Sequence, residues 1–171
     1  MAARRCDSGS GGTVGIGGNP SSALARRAAG PAHTTLYSGC MSEITDEGVQ
    51  SLLAAPNHAV LSSYNPDGTI LSTVVWIDYV DGQLAVNSAV GRQWPSNLDR
   101  DARVSIVVLD QENPYHFTEI RGKAAGALEG AREHIDALAH KYIGKDYPWL
   151  GPGEQRKKFI VKPEKVRYVN Q

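Results

Sequence analysis

The chain has 171 residues, 41% of them hydrophobic, and a formal net charge of zero at pH 7, which suits one soluble domain with a single core. No apolar run approaches the ~18 residues that a spanning helix requires, and the only cysteines, Cys6 and Cys40, offer neither a CxxC nor a Cys/His spacing for zinc. The neutral total conceals a division: residues 1–40 carry Arg4, Arg5, Arg26 and Arg27 against Asp7, a net +3; the segment from Lys141 onward has eight basic and three acidic residues, a net +5; the middle is therefore −8.

Residues 1–40 hold eight of the 18 glycines, many Ala and Ser, and no sustained apolar pattern. Such a segment buries too little surface to offset its chain entropy, so a disordered tail is expected there, with Met41 as an alternative start and the folded domain over residues 41–171. It lacks the apolar region of a signal peptide. Gly15-Ile16-Gly17-Gly18 has neither a preceding strand nor a following helix and is no dinucleotide fingerprint. A reducing, cytoplasmic compartment is the expectation.

Thr45 is placed to cap a helix whose first turn holds Asp46 and Glu47, whose apolar face is Val49, Leu52 and Leu53, and which Pro56 ends. His58 to Tyr64 reads as the first strand and Asn65-Pro66-Asp67-Gly68 as a turn. Thr69 to Tyr79 reads as one long strand with β-branched or aromatic residues on both faces, as inside a closed sheet. Asp81-Gly82 makes the next hairpin turn and Gln83 to Ser88 the third strand. A short connection through Gly91, Arg92 and Gln93 then leads to a helix over Pro95 to Asp101, with Pro95 suited to its first position. Val104 to Leu109 is the fourth strand, and Phe117 to Glu129 the fifth, with bends or bulges at Gly122 and Gly126. Ala131 to Ile143 has the period of an amphipathic helix with Ile135, Leu138, Ala139 and Tyr142 on one side, stopped by Gly144. Lys158 to Val161 and Lys165 to Val169 form a closing strand interrupted near Pro163. Six antiparallel strands with two main helices and no βαβ repeat point to a mainly β Greek-key barrel.

Acid–base or nucleophilic machinery is not visible, and no metal site is marked. Glu133-His134 followed by His140 lacks a one-turn spacing, so these histidines read as solvated surface residues. His58 and His116 flank strands, where a structural role and a ligand contact are both open. The absence of a protein-borne catalyst suits a redox protein whose cofactor carries the chemistry. Arg92 stands out, because a planar guanidinium beside the amides of a helix start suits bidentate capture of a phosphate.

In order and spacing, Asp67-Gly68, Val75-Trp76, Asp81-Gly82, Gly91-Arg92-Gln93 before Asn97-Leu98, Asp99-Arg100-Asp101-Ala102-Arg103-Val104, Glu112-Asn113-Pro114-Tyr115, Glu119-Ile120-Arg121-Gly122 and Gly144-Lys145-Asp146-Tyr147-Pro148-Trp149 are similar to the split-barrel flavin and deazaflavin oxidoreductases. That is the pyridoxamine-phosphate oxidase-like superfamily, and the resemblance is strongest to its actinobacterial branch that uses coenzyme F420. It implies an FMN-binding-type split β-barrel, a homodimer with the cofactor site between subunits, and hydride transfer to a small organic substrate. It places the cofactor phosphate against Arg92, Gln93 and Asn97, with Asn87 and Ser88 at the end of the preceding strand and Thr73, Val74 and Trp76 along the ring. The chain departs from the family at Trp94, where a lysine is usual, and at Ser96, where an arginine often stands. Trp94 would then stack on a ring or fill a dimer contact. FMN as cofactor, and a non-catalytic flavin- or deazaflavin-binding role, are the alternatives. The basic residues Lys157, Lys158, Lys162, Lys165 and Arg167 read as a solvated face of an edge strand, or as a landing area for a polyglutamate tail; no aromatic residues interleave with them as a nucleic-acid site would require.

Overall fold

The computed structural model describes residues 44–171. The Gly/Ser/Ala-rich tail, both cysteines and the Gly15–Gly18 run lie outside the described residues. The elements are α1 (Glu47–Ala54), β1 (Ala59–Tyr64), β2 (Ile70–Val75), β3 (Ile77–Val80), β4 (Gln83–Ala89), α2 (Gln93–Arg100), β5 (Arg103–Leu109), β6 (Phe117–Ala127), α3 (Ala131–Ile143) and β7 (Arg156–Val169). Among the described residues no helix is long and apolar enough to cross a membrane.

All strand pairs are antiparallel, in the order β2-β1-β5-β6-β7-β4-β3. There are seven strands rather than the expected six, because the long strand from Thr69 to Tyr79 breaks at Trp76. Its first half pairs with β1 and its second with β4, so the two halves occupy opposite edges of the sheet. One residue separates those edges along the chain, which forces the sheet to curl until they meet. The expected cover on both faces fails for β2, where Ile70 and Val74 point outward, 64% and 65% exposed. The three helices read from the sequence are present, of 8, 8 and 13 residues.

The inward faces make one core of Leu61, Ile77, Leu84, Val86, Ile106, Ile120, Phe159 and their neighbours, closed at one end by Val49 and Leu53 of α1. Asp46, not Thr45, caps α1, its carboxylate accepting from the Val49 N–H at 3.1 Å. Charge favours that choice, since a carboxylate also complements the helix dipole. Arg92 occupies the N-cap of α2, so Pro95 is the third helical residue and not the first, still within the turn whose N–H groups lack helical acceptors.

The break at Trp76 leaves backbone groups without ladder partners, and α3 supplies them. Tyr142 Oη accepts from the Ile77 N–H at 3.1 Å and donates to the Asn57 carbonyl at 2.6 Å. Burial raises its pKa to about 12, which keeps the hydroxyl neutral and able to do both. Lys141 Nζ donates to the carbonyls of Leu53 and Ile77 at 2.7 and 3.0 Å, tying the end of α1 to the same break.

The closing strand β7 is continuous through Pro163 and lies between β6 and β4, so it is no edge strand. The irregularity is a bulge on β7 itself: Arg121 pairs with Lys165 and Gly122 with Pro163, which leaves Glu164, next to Pro163, as the extra residue. A Cβ on Gly122 would lie 2.1 Å from the Lys162 carbonyl oxygen, so only glycine permits this approach. Gly122→Ala is expected to lower the unfolding free energy by about 3 kcal/mol, measured by urea denaturation; an unchanged midpoint would show that the β6–β7 pair relaxes without cost.

Candidate functional site

The seam at Trp76 opens into a cavity of about 320 Å³, within the range of small-molecule sites. Thr73, Val74, Val75 and Trp76 form one side, Asn87 and Ser88 come from the end of β4, and Arg92 and Trp94 from the start of α2. Ile135 of α3, Tyr147 and Trp149 of the following loop, Arg156 of β7 and His58 complete it. Seven of the nine residues expected from the sequence therefore meet here.

Gln93 and Asn97 do not line this cavity. Asn97 is 1% exposed, and its amide donates to Ser63 Oγ at 3.2 Å and Asn65 Oδ1 at 2.9 Å. Gln93 Nε2 in turn donates to Asn97 Oδ1 at 3.0 Å. The pair fastens α2 to the end of β1 and its turn. Trp94 is 6% exposed and belongs to the core, its ring 5.5 Å from that of Phe159. It fills the interior rather than stacking in the open cavity.

The polar side of the cavity rests on a chain of buried groups. Asn87 Nδ2 donates to the Ala131 carbonyl at 2.7 Å and lies 3.3 Å from His134 Nδ1, while Asn87 Oδ1 accepts from Arg156 Nε at 2.8 Å. Arg156 Nη1 donates to Glu154 Oε1 at 2.8 Å. That hydrogen bond, opposed by partial burial and helped by the nearby charges of Arg156 and Arg92, holds the Glu154 carboxyl below its usual range. Ser88, 1% exposed, has a hydroxyl with no hydrogen-bond partner among the described residues.

His134 is not the solvated histidine expected from spacing. Its side chain is 9% exposed, and burial, opposed by Asp78 and reinforced by Lys158 and Arg156, lowers its pKa to about 4. Its neutral Nδ1 accepts from Asn87, placing the proton on Nε2, 3.7 Å from Asp78 Oδ2. His140, by contrast, is exposed and pairs with Asp146. His116 is structural, bridging Asp110 and Tyr168 Oη at 2.9 and 3.0 Å.

An aromatic wall faces the polar side. Trp76 stacks on Tyr142 at 5.0 Å with 7° between the planes; Tyr147 meets Trp76 edge-on at 6.2 Å and Trp149 at 5.5 Å. Trp149 itself is 61% exposed. Neither Arg156 nor Ile135 carries a local sequence signal for this cavity; Tyr147 and Trp149 lie in a motif that the resemblance covers, without an assigned role.

No family model matches the chain, and no curated protein does. Solved structures do. An F420 reductase superposes with a TM-score of 0.64 at 25% identity, covering 71% of this chain and 98% of its own. The fold is the split β-barrel of the pyridoxamine-phosphate oxidase-like superfamily. Two further split barrels share the fold at lower identity. A conserved hypothetical protein from Mycobacterium tuberculosis has a TM-score of 0.61 at 19% identity over 75% of this chain and 87% of its own. A Listeria innocua protein provisionally assigned as a pyridoxamine 5'-phosphate oxidase has 0.57 at 17%, over 72% and 96%.

Two outcomes follow from this geometry. Trp94→Lys, which would restore the family's usual charge, is expected to cost about 4 kcal/mol of stability, because it empties an aromatic site in the core and leaves an ammonium there; a variant as stable as the parent by urea denaturation would place the indole outside the core. For His134, the unfolded chain takes up a proton near pH 6.5 while the folded state refuses it down to about pH 4, so stability falls as pH drops through that window, by up to about 3 kcal/mol. His134→Gln, whose carbonyl can still accept from Asn87, removes that component. Urea midpoints of parent and variant at pH 7.5 and pH 4 check it: the parent should lose more.

Proposed function

We propose that this split barrel binds coenzyme F420 and serves hydride transfer between that deazaflavin and a small conjugated organic substrate. The observation that carries the reading is the cavity's two-sided character: aromatic on the Trp76–Tyr147–Trp149 side and cationic at Arg92, with Ser88, whose hydroxyl has no partner among the described residues, in the same lining. Those residues fit a planar chromophore with an anionic tail. The F420 reductase similar to it at 25% identity favours the deazaflavin over FMN.

When bound, the deazaflavin supplies the hydride chemistry. The chain's own residues bind, orient and exclude water. Arg92 and Ser88 receive the phosphate end, Thr73, Val74 and Trp76 lie along the ring, and Trp149, exposed at the rim, shields the reacting face from solvent. A homodimer belongs to the same proposal. Ile70 and Val74, two exposed apolar side chains on the free edge strand beside the cavity, are suited to burial against a second subunit.

Fluorescence titration tests the cofactor. Protein purified from a host lacking F420 is expected to be colourless, to bind F420, and to prefer it to FMN; stoichiometric FMN retained through gel filtration overturns the assignment. Arg92→Ala is expected to weaken F420 binding by about 1.5–3 kcal/mol, the range for charge-assisted hydrogen bonds, with stability nearly unchanged because the side chain is exposed. Unaltered affinity removes Arg92 from the site. Turnover with reduced F420 and quinone or enone acceptors separates an enzyme from a carrier.

A further inference from the structure

We infer that Arg156 is the second cation of a phosphate subsite in this cavity, acting jointly with Arg92 and the Ser88 hydroxyl in place of the lysine that the family places at Trp94. The inference deepens the cofactor reading and rests on it only for the identity of the molecule that carries the phosphate.

Arg156 is 6% exposed and lines the cavity. A guanidinium has five N–H donors in a rigid fork. Here Nε is engaged by Asn87 and Nη1 by Glu154, each at 2.8 Å, and Tyr147 covers the plane, its ring 5.1 Å from Cζ. Nη2 has no acceptor among the described residues. With Nε and Nη1 fixed by protein acceptors, Nη2 is the donor left for an anion in the cavity.

The local charge count agrees. Glu154 is one carboxylate between two guanidiniums, its carboxyl lowered by the hydrogen bond from Arg156 and also by the charge of Arg92. A positive charge is left over on the cavity side. Ser88 supplies an independent sign, since the residue lines the same cavity and its hydroxyl is buried with no partner among the described residues. Two guanidiniums and a hydroxyl exceed what the two oxygens of a carboxylate accept comfortably; the four oxygens of a phosphate ester, arranged tetrahedrally, offer more acceptor directions.

The fold delivers Arg156 to this point through strand pairing. Ala89 at the end of β4 is opposite Arg156 at the start of β7, and the Val90 N–H donates to the Gln155 carbonyl at 2.8 Å, two residues before Arg92. The side chain is then aimed by Asn87, whose own amide is held by the Ala131 carbonyl and His134 Nδ1. This is preorganisation, with the orienting groups already in place before a ligand arrives.

The test compares each chromophore with and without its phosphate: F420 against its phosphate-free deazaflavin, and FMN against riboflavin, in the parent, Ser88→Ala and Arg156→Gln. The expected result is a preference for the phosphorylated ligand that falls at least about tenfold in Arg156→Gln and a few-fold in Ser88→Ala, with phosphate-free affinity unchanged. An unchanged preference in both variants, or an equal loss for both ligands, overturns the subsite. Should Arg156→Gln not fold, Ser88→Ala decides, because its hydroxyl has no partner to lose. If no chromophore binds, the cofactor reading fails by itself and inorganic phosphate carries the test. It should then raise the parent's Tm more than acetate at equal ionic strength, an excess diminished in Ser88→Ala; equal shifts for the two anions overturn the proposal.

Discussion

The architecture depends on one interruption in one strand. Because β2 and β3 are consecutive in sequence yet sit at opposite edges of the sheet, the residue between them must hold those edges together. Trp76 is that residue. The break frees the Ile77 amide and carbonyl, and a seam of unpaired backbone would be unstable in a half-buried position. Tyr142 and Lys141, adjacent on α3, resolve it by reaching from outside the barrel to the broken strand and to the end of α1. Closure of the barrel, docking of α3 and the position of α1 are therefore one coupled arrangement.

The cavity is a by-product of the same seam. Where the ladder is interrupted, the outer surface is covered by α3 and the loop behind it rather than by another strand, and side chains from five elements converge. Stability and ligand reception make opposite demands on those side chains. The apolar ones, Trp94 with Phe159 and Trp76 with Tyr142, satisfy both, since they pack inward and present a surface. The polar ones do not. A buried Arg156, an unpartnered Ser88 hydroxyl and a histidine kept neutral by burial each cost stability. They are concentrated around one opening, which is what the proposed ligand site rests on.

The segregation of charge along the chain acquires a meaning in three dimensions. The basic C-terminal block is divided by its strand: Arg156 goes into the cavity, Lys157 pairs with Asp99 at 2.6 Å, and Arg167 lies 5.6 Å from the Phe117 ring. A run that reads as one basic face is distributed over several environments, because β7 is central and its residues alternate between two sides.

Much of the local structure was written in the sequence, since turns, caps and amphipathic periods are short-range. Asp81-Gly82 adopts positive φ at both residues, 52° and 77°, as a tight hairpin requires; the apolar faces of α1 and α3 are buried where their periods put them; and Gly122 sits at a register shift. The family-linked motifs also hold residues that the fold brings together around one cavity, Thr73, Val74, Trp76, Asn87, Ser88 and Arg92. What the sequence could not decide was set by long-range pairing. Nothing local distinguishes a strand that serves one neighbour from a strand that breaks to serve two, so the seventh strand was hidden. Asn97 and Gln93 have the same amides in a phosphate site as in a helix-fastening network, and only the neighbourhood of Ser63 and Asn65 selects the second. Arg156 is 64 residues from Arg92 in the chain and beside the same cavity in space, because β7 returns antiparallel to β4; a contact created by strand order is invisible until the sheet is closed.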